Sequence, residues 1–382
     1  MTDASLVLQW HWIAHPSDLQ TWWPRAPEWI ALDTEFVRER TYWPQLALVQ
    51  MAIADAVLII DCHAEGMSAA LRPWLTAPHL LKIMHSASED CVALHHCCGT
   101  VPSPLFDTQL AATLTGMGHM LSYQKLVAAV TGVQLAKEET RSDWQQRPLS
   151  HAQLCYAADD VRYLGPLYRS LQAQLAQQQR IEWLKEDCAR LIAHACQEDN
   201  ERLLQINHRF GRGLDQAARH RLSRILAWRE SRARAADVPR NWVIDSALAQ
   251  QLAQHPPQNR DAFQQVLAAS PKAVHARQLV TQLWQALNTP CANETPSVDA
   301  MIDTVELSRL VKRLQHIVAQ QSQACGIPAA YLVSRRHLET FILQRVWPAA
   351  LGQWRRELLE QPLLQALRAH DAAVTKHRRQ PG

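Results

Sequence analysis

The sequence contains no apolar run that approaches the roughly 18 residues needed to cross a membrane. Residues 1–15 lack the basic and hydrophobic regions of a secretory signal peptide. The nine cysteines are odd in number and include no C-x-x-C pair, which argues against a disulfide framework. These absences exclude integral membrane proteins and disulfide-rich secreted domains, and we expect a cytoplasmic protein that does not bind membranes.

The chain, at 382 residues, is too long for one typical core, so two or three domains are expected. Its net charge of only +3 conceals an uneven distribution of charge. Residues 1–200 contain 14 basic and 22 acidic side chains, whereas residues 201–382 contain 25 and 14. This asymmetry indicates an acidic module joined to a basic module that can hold a polyanion, although solvated arginine-rich helix faces would explain the charge equally well.

Two acids interrupt the apolar run at residues 29–37, which otherwise has the composition of a buried strand. Because side chains alternate along a strand, Asp33 and Glu35 project from the same side. Two buried carboxylates repel each other and lose hydration, whereas a divalent cation such as Mg²⁺ or Mn²⁺ would turn both into ligands. The alternative is an edge strand with two solvated acids.

The order of the other predicted elements is typical of a mixed α/β domain whose crossovers cover a sheet. With the acidic run, two further strands form an antiparallel meander. These strands are predicted at 46–53 and 56–61, followed by a helix near 67–75, a strand over 80–84, a helix over about 87–97 and more helices to about 192.

Beyond about residue 200 strand signals fade, and only helices are predicted. A Pro/Asn/Thr-rich stretch at 288–296 divides this part as a linker would. The pieces on its two sides are similar, because residues 238–248 resemble residues 327–338 with one residue of slippage. A repeat of this length predicts two copies of one small helical domain.

Three later residues complete a candidate metal site. Ser86 and Glu89 have capping-box spacing, which predicts a helix with Asp90 in its first turn, directly after a buried strand. If Asp90 were considered without the other acids, the simpler explanation would be a carboxylate that interacts favourably with the helix dipole. Tyr156 and Asp160 are at i and i+4, so they share one helical face. Four converging carboxylates suit a two-metal site for in-line phosphoryl transfer, with Tyr156 orienting the attacking water.

These motifs together resemble the ribonuclease D family, which belongs to the tyrosine subgroup of the DEDD superfamily of 3′–5′ exonucleases. The resemblance covers residues 5–195, and two further regions, 210–290 and more loosely 300–375, resemble the helical helicase and RNase D C-terminal (HRDC) domain. The segments that carry it are ALDTEF (31–36) with PQLALVQ (44–50), HSASED (85–90), DTQLA (107–111), RSDW (141–144), RPL (147–149), YAADD (156–160), LAWR (226–229), DVPRNWVI (237–244), CGIP (325–328) and LVSRR (332–336).

The resemblance implies a ribonuclease H-like α/β exonuclease domain, a mixed sheet flanked by helices, followed by two small all-α helical-bundle domains. The corresponding boundaries are 1–200, 208–290 and 300–378. It also implies hydrolysis of single-stranded 3′ ends of structured RNA to 5′ mononucleotides, in the maturation of tRNA precursors. Nothing in the sequence indicates obligate assembly, so we expect a monomer. Two Mg²⁺ or Mn²⁺ ions would be bound by Asp33, Glu35, Asp90 and Asp160, with Tyr156 as the fifth catalytic residue.

Two other functions remain open at this point. The same acids occur in 3′–5′ DNA exonucleases of repair and proofreading, and the 2′-hydroxyl contacts that select RNA cannot be located in the sequence. A non-catalytic RNA-binding protein with a vestigial site is the third hypothesis. Six arginines of the first helical domain are candidates for an RNA-holding surface or for solvated helix faces: Arg219, Arg221, Arg224, Arg229, Arg232 and Arg234.

Overall fold

The computed structural model describes residues 9–25, 27–135, 142–196, 214–269, 279–290 and 304–378. An N-terminal α/β domain is organised around a six-stranded sheet with the spatial order β1-β4-β3-β2-β5-β6. The strands are β1 (Gln9–Ile13), β2 (Trp29–Val37), β3 (Gln45–Ile53), β4 (Ala56–Asp61), β5 (Leu81–Met84) and β6 (Leu105–Asp107).

The sheet is mixed, as predicted. The β1–β4, β2–β5 and β5–β6 pairs are parallel, whereas β3 and β4 are antiparallel, with Ile53 opposite Ala56 across a tight turn. The predicted strands β2 to β5 are confirmed, and β3 and β4 are almost fully buried. The strands β1 and β6 were not predicted. They have only 5 and 3 residues, too few for a clear alternation of apolar and polar side chains, and they are recognised by their hydrogen bonding to β4 and β5.

Eight helices in the described part of this domain flank the sheet and its core. The predicted helices near 67–75 and 87–97 are confirmed as α2 and α3. The set is α1 (Pro16–Gln20), α2 (Met67–Thr76), α3 (Ser88–Cys98), α4 (Thr108–Leu114), α5 (Tyr123–Thr131), α6 (His151–Arg162), α7 (Leu164–Gln177) and α8 (Ile181–Cys196). Within the described ranges, no helix combines the length and apolar character needed to cross a bilayer.

All regular elements described after residue 214 are helical, as predicted. In the first helical domain they are α9 (Gln216–Ala235), α10 (Arg240–Val243), α11 (Ser246–Gln254), α12 (Arg260–Ala269) and α13 (Val280–Asn288). In the second they are α14 (Thr304–Cys325), α15 (Ala329–Leu332), α16 (Arg335–Gln344) and α17 (Gln353–Arg378). Most of the predicted linker at 288–296 lies outside the described residues.

The backbone supports the predicted internal repeat. The residue before α10, Pro239, has φ −55° and ψ 139°, and the residue before α15, Pro328, has φ −55° and ψ 133°. Both helices end on an extended residue with φ −158°, Ile244 in the first copy and Val333 in the second. The two copies therefore share the same proline-started single turn.

The chain divides into two compact units. One contains residues 1–35, 47–195 and 298–382, so the second helical domain packs with most of the α/β domain. The other contains residues 36–46 and 196–297, so the β2–β3 connection packs with the first helical domain. Because these units do not follow sequence boundaries, the division into domains 1–200, 208–290 and 300–378 stays a prediction.

Candidate active site

The parallel strands β2, β5 and β6 converge at one edge of the sheet. Ala31 pairs with Ile83, and Met84 pairs with Asp107, so α3 and α4 begin beyond the same end of the sheet, while β2 continues past its pairing with β5 to Val37. The crevice beyond the carboxyl ends of parallel strands is where α/β proteins place ligand groups. Asp33 and Glu35 lie in the part of β2 that continues past its pairing with β5.

The two strand acids are held in a strongly unfavourable environment for charge. Burial raises the pKa of Asp33 well above its usual range, and the charges of Asp90, Asp160 and Glu35 raise it further. Burial and the charges of Asp160 and Asp90 raise the pKa of Glu35 to about 8. The charges of Asp90 and Asp160 therefore act on both strand acids, and the charge of Glu35 also acts on Asp33, in agreement with the prediction that Asp33 and Glu35 project from the same side.

Asp90 is buried in the first turn of α3, as predicted, but the predicted capping box is wrong. The helix begins at Ser88 after Ala87, with no side-chain cap, because Ser86 takes a left-handed conformation with φ 60°. Burial raises the pKa of Asp90 to about 6, and the hydroxyl of Thr34 opposes this rise by donating a hydrogen bond to the carboxylate.

Helix α6 carries the last two predicted residues on one face. It starts with a true capping box, in which the Gln153 amide donates to the Ser150 hydroxyl at 3.2 Å and the Ser150 amide donates to Gln153 Oε1 at 2.9 Å. Burial and Asp159 raise the pKa of Asp160 to about 7, whereas a hydrogen bond from the Tyr156 hydroxyl lowers it. The pKa of Tyr156 is raised by burial and by the nearby carboxylates, so this phenol remains protonated at neutral pH.

The structure therefore brings all five predicted residues into one electrostatically coupled group. Its four acids, here called the carboxylate cluster, are Asp33, Glu35, Asp90 and Asp160. Across the described residues, none of them forms an ion pair with a basic side chain. The same ranges contain no preformed group of three or more ligating side chains with metal-binding geometry. The donor set nevertheless fits hard divalent cations, which prefer carboxylate oxygens and would relieve the buried repulsion.

Asp107, the last residue of β6, organises the approach to Asp90. Its carboxylate accepts hydrogen bonds from the amides of Ala87 and Gln109, both at 2.8 Å, and from those of Leu110 at 3.1 Å and Ser86 at 3.3 Å. It thereby holds the turn before α3 and the first turn of α4. Sequence reasoning did not assign this role, although an aspartate that precedes a helix is a typical N-cap.

His85 and Trp144, which belong to the motifs around the site, have structural contacts in this chain. His85 is hydrogen-bonded at both ring nitrogens, to Thr108 Oγ1 at 2.9 Å and to the Leu121 carbonyl at 3.1 Å. The Leu121 carbonyl only accepts, so Nε2 carries the proton, and because burial lowers the pKa of His85 the ring is neutral. Trp144 is buried, with its ring centroid 6.0 Å from that of Tyr156. Arg141 lies outside the described residues.

The six arginines of α9 do not form a freely solvated face. Arg229 is buried and donates to Ser246 Oγ at 3.1 Å, so it is wrong as a candidate for RNA contact. Arg221 donates to the Ala253 carbonyl at 2.7 Å, and Arg224 donates to the Leu287 carbonyl at 2.7 Å. At least these three side chains are therefore used to join helices within the domain.

Known proteins resemble this chain over nearly its whole length. A model of the 3′-5′ exonuclease family matches residues 11–176, and a model of the HRDC domain matches residues 218–287. A ribonuclease D from Xanthomonas oryzae is 52% identical, covering 95% of this chain and 99% of the relative. A ribonuclease D from Pseudomonas paraeruginosa is 34% identical, covering 90% of this chain and 93% of the relative.

A solved structure extends the similarity to the arrangement of the chain. The crystal structure of Escherichia coli RNase D, described as an exoribonuclease involved in structured RNA processing, aligns with a TM-score of 0.82 at 26% identity. The alignment covers 95% of this chain and 99% of that one. The similarity in sequence and in fold therefore covers both the α/β domain and the helical part of the chain.

Proposed function

Because the chain belongs to the ribonuclease D family of 3′–5′ exoribonucleases, we propose that its carboxylate cluster binds two divalent ions, Mg²⁺ or Mn²⁺, at the 3′ end of RNA. One observation carries this proposal: four clustered acids, of which Asp90 is buried and the other three are half-buried, raise one another's pKa values, and no described basic side chain compensates them. A protein that kept such a cluster without a cation would lose stability for no gain.

The chemical step is hydrolysis of the last phosphodiester bond. The oxygen of a water attacks phosphorus, the bond from phosphorus to the 3′ oxygen breaks, and the leaving oxygen takes up a proton. The products are a 5′ mononucleotide and an RNA with a new 3′ hydroxyl. When bound, divalent ions supply charge neutralisation and Lewis acidity at the phosphate.

The protein's own residues supply position. The carboxylate cluster holds the cations, and the protonated phenol of Tyr156, hydrogen-bonded to Asp160, orients the attacking water. The raised pKa of Tyr156 makes the phenol a donor rather than a general base. Asp107 and Thr34 act on the reaction only through Asp90, which they position.

The biological substrate and setting are proposals that rest on the family. We expect tRNA precursors with single-stranded 3′ extensions, a cytoplasmic location and a monomeric protein. The relatives favour RNA over the DNA alternative, because those reported above are all ribonucleases D. A precursor tRNA with a 3′ trailer should be shortened to its structured end, and light scattering should give the mass of one chain.

The activity itself is tested with 5′-labelled single-stranded RNA and matched DNA on denaturing gels. We expect a ladder that shortens from the 3′ end of RNA with Mg²⁺ or Mn²⁺ and that chelator abolishes. Asp90→Ala should eliminate the ladder. Glu89→Ala is the matched control, because Glu89 precedes Asp90 in the same helical turn but is exposed.

Three outcomes would contradict the proposal. Shortening that persists in chelator would remove the metal ions from the reaction. Full activity of Asp90→Ala would remove that residue from the site. Faster shortening of DNA than of RNA would move the protein to the repair or proofreading class.

A further inference from the structure

The helix that carries Asp160 is interrupted directly after it. Helix α6 ends at Arg162 and α7 begins at Leu164, so Tyr163 separates two nearly continuous helices. In an uninterrupted α-helix the Tyr163 amide would donate to the Asp159 carbonyl four residues earlier. This hydrogen bond belongs to the turn that contains Asp160.

A side chain from another helix occupies the place of that hydrogen bond. The Tyr123 hydroxyl donates to the Asp159 carbonyl at 2.9 Å and accepts from the Tyr163 amide at 3.3 Å. The phenol therefore bridges the two backbone groups that a continuous helix would join directly. Insertion of a side chain into the i to i−4 ladder is a recognised cause of a helix break.

Tyr123 is itself firmly held. It is the first residue of α5, which packs against α7, and its side chain is buried. Its ring centroid lies 5.6 Å from that of His85, which is hydrogen-bonded at both nitrogens. The phenol lies beside the turn that carries Asp160, and the charges of Asp160 and Asp33 add to burial in raising the pKa of Tyr123.

We propose that Tyr123 is a positioning residue: by bridging the Asp159 carbonyl and the Tyr163 amide, its hydroxyl sets the orientation in which Asp160 joins the carboxylate cluster. This inference rests on the proposed function, since it assigns to Asp160 a role in cation binding. The Tyr163 amide also donates to the Val161 carbonyl, so the Asp159 carbonyl is the group that depends on the phenol. Without the hydroxyl, this carbonyl either pairs directly with the Tyr163 amide, which rotates the Asp160 turn, or loses its hydrogen bond. Both outcomes displace the Asp160 carboxylate.

The test compares Tyr123→Phe with Tyr331→Phe. Phenylalanine keeps the ring in both variants and removes one hydrogen-bonded hydroxyl. Tyr331 is the matched control, because its hydroxyl donates to Asp187 at 2.6 Å in the interface of the second helical domain and contacts no member of the carboxylate cluster. Mn²⁺ affinity is measured by titration calorimetry without RNA, and kcat and KM are measured with single-stranded RNA.

We expect Tyr123→Phe to weaken Mn²⁺ binding and to lower kcat, each by roughly tenfold or more, as replacement of residues that orient metal ligands does. KM for RNA should not change. Tyr331→Phe should lose thermal stability but keep wild-type Mn²⁺ affinity and kcat. Wild-type Mn²⁺ affinity and kcat in Tyr123→Phe would overturn the proposal.

The two proposals fail in distinguishable ways. If the wild type binds Mn²⁺ but degrades no RNA, the exoribonuclease function fails and calorimetry still decides the role of Tyr123. A wild type that binds no Mn²⁺ overturns both. If Tyr123→Phe does not fold, p-aminophenylalanine is placed at position 123 instead. Its amino group still donates to the Asp159 carbonyl but accepts only poorly from the Tyr163 amide. That variant should bind Mn²⁺ more weakly, and wild-type affinity would overturn the bridge.

Discussion

Removing the Asp187 carboxylate should destabilise the unit that joins the α/β domain to the second helical domain. Asp187 lies on α8, and its buried carboxylate accepts from Arg355 at 2.6 and 3.0 Å, from the Tyr331 hydroxyl at 2.6 Å and from Trp354 Nε1 at 3.2 Å. Trp354 also stacks on Trp183, with ring centroids 4.5 Å apart. Asp187→Ala would leave the buried guanidinium of Arg355 and two neutral donors, the Tyr331 hydroxyl and the Trp354 indole, without this acceptor, and it would also remove the partly exposed Arg190 pair at 3.3 Å.

The expected loss follows from these contacts. Breaking a buried ion pair by removing one partner costs about 3–5 kcal/mol, and each orphaned neutral donor adds about 1 kcal/mol. With two such donors we expect a loss of about 5–7 kcal/mol, which at roughly 2 °C per kcal/mol lowers the melting temperature by about 10–14 °C. Scanning calorimetry measures this shift.

Two further variants separate the charge from general damage. Asp187→Leu combined with Arg355→Leu removes the uncompensated cation and should regain part of the stability, because hydrophobic replacement of a whole buried pair is often neutral. Glu182→Ala is the control on the same helix, where the exposed Glu182–Lys185 pair should contribute under about 1 kcal/mol. A melting temperature of Asp187→Ala equal to that of the control would refute the reasoning.

Three other predictions concern the carboxylate cluster. Asp33→Asn removes a repelling charge, so it should abolish RNA hydrolysis and raise the melting temperature of the metal-free protein; a lower one would contradict the repulsion. Because the folded-state pKa of Glu35 is about 8 and that of Asp160 about 7, the folded protein keeps protons that the unfolded chain releases near about pH 4. In chelator, the free energy of unfolding should therefore decrease as the pH rises from about 4 to about 8, and this decrease should be smaller in Glu35→Gln. Addition of Mn²⁺ should restore the lost stability. Thermal melts that show no decrease across this pH range would contradict the prediction. Tyr156→Phe should slow single-turnover hydrolysis at least about tenfold while Mn²⁺ affinity by calorimetry is kept, and a full-rate variant would remove the phenol from the reaction.

The inward arginines change how RNA binding should be examined. Charge in the C-terminal half indicated a surface for a polyanion, but Arg229 is buried and others donate to carbonyls inside their own domain. Removal of a whole helical domain is also a poor test, because residues 300–382 include partners of the buried Asp187. Because Arg309 and Lys312 are exposed, we expect their substitution to keep the fold and to isolate the effect of charge on RNA affinity.

Local periodicity explains what could be predicted before the structure. Alternation along a strand placed Asp33 and Glu35 on one side, and helical spacing placed Tyr156 beside Asp160. The proline-started turns of the two helical copies also follow from short, similar segments. In each case the residues that decide the geometry are only a few positions apart.

The sequence by itself determined the strand that carries the first two acids, the helix that carries Tyr156 and Asp160, and the repeat in the helical half. Only the tertiary structure decided that Asp107 rather than Ser86 satisfies the amides before α3, that Tyr123 enters the α6–α7 break, and that Asp187 joins the second helical domain to the α/β domain. These contacts pair groups 20 to 168 residues apart. The spacing of residues along the chain shows which side chains share one face of a helix or strand. Contacts between distant residues depend instead on how helices and strands pack together, which no short-range sequence pattern specifies.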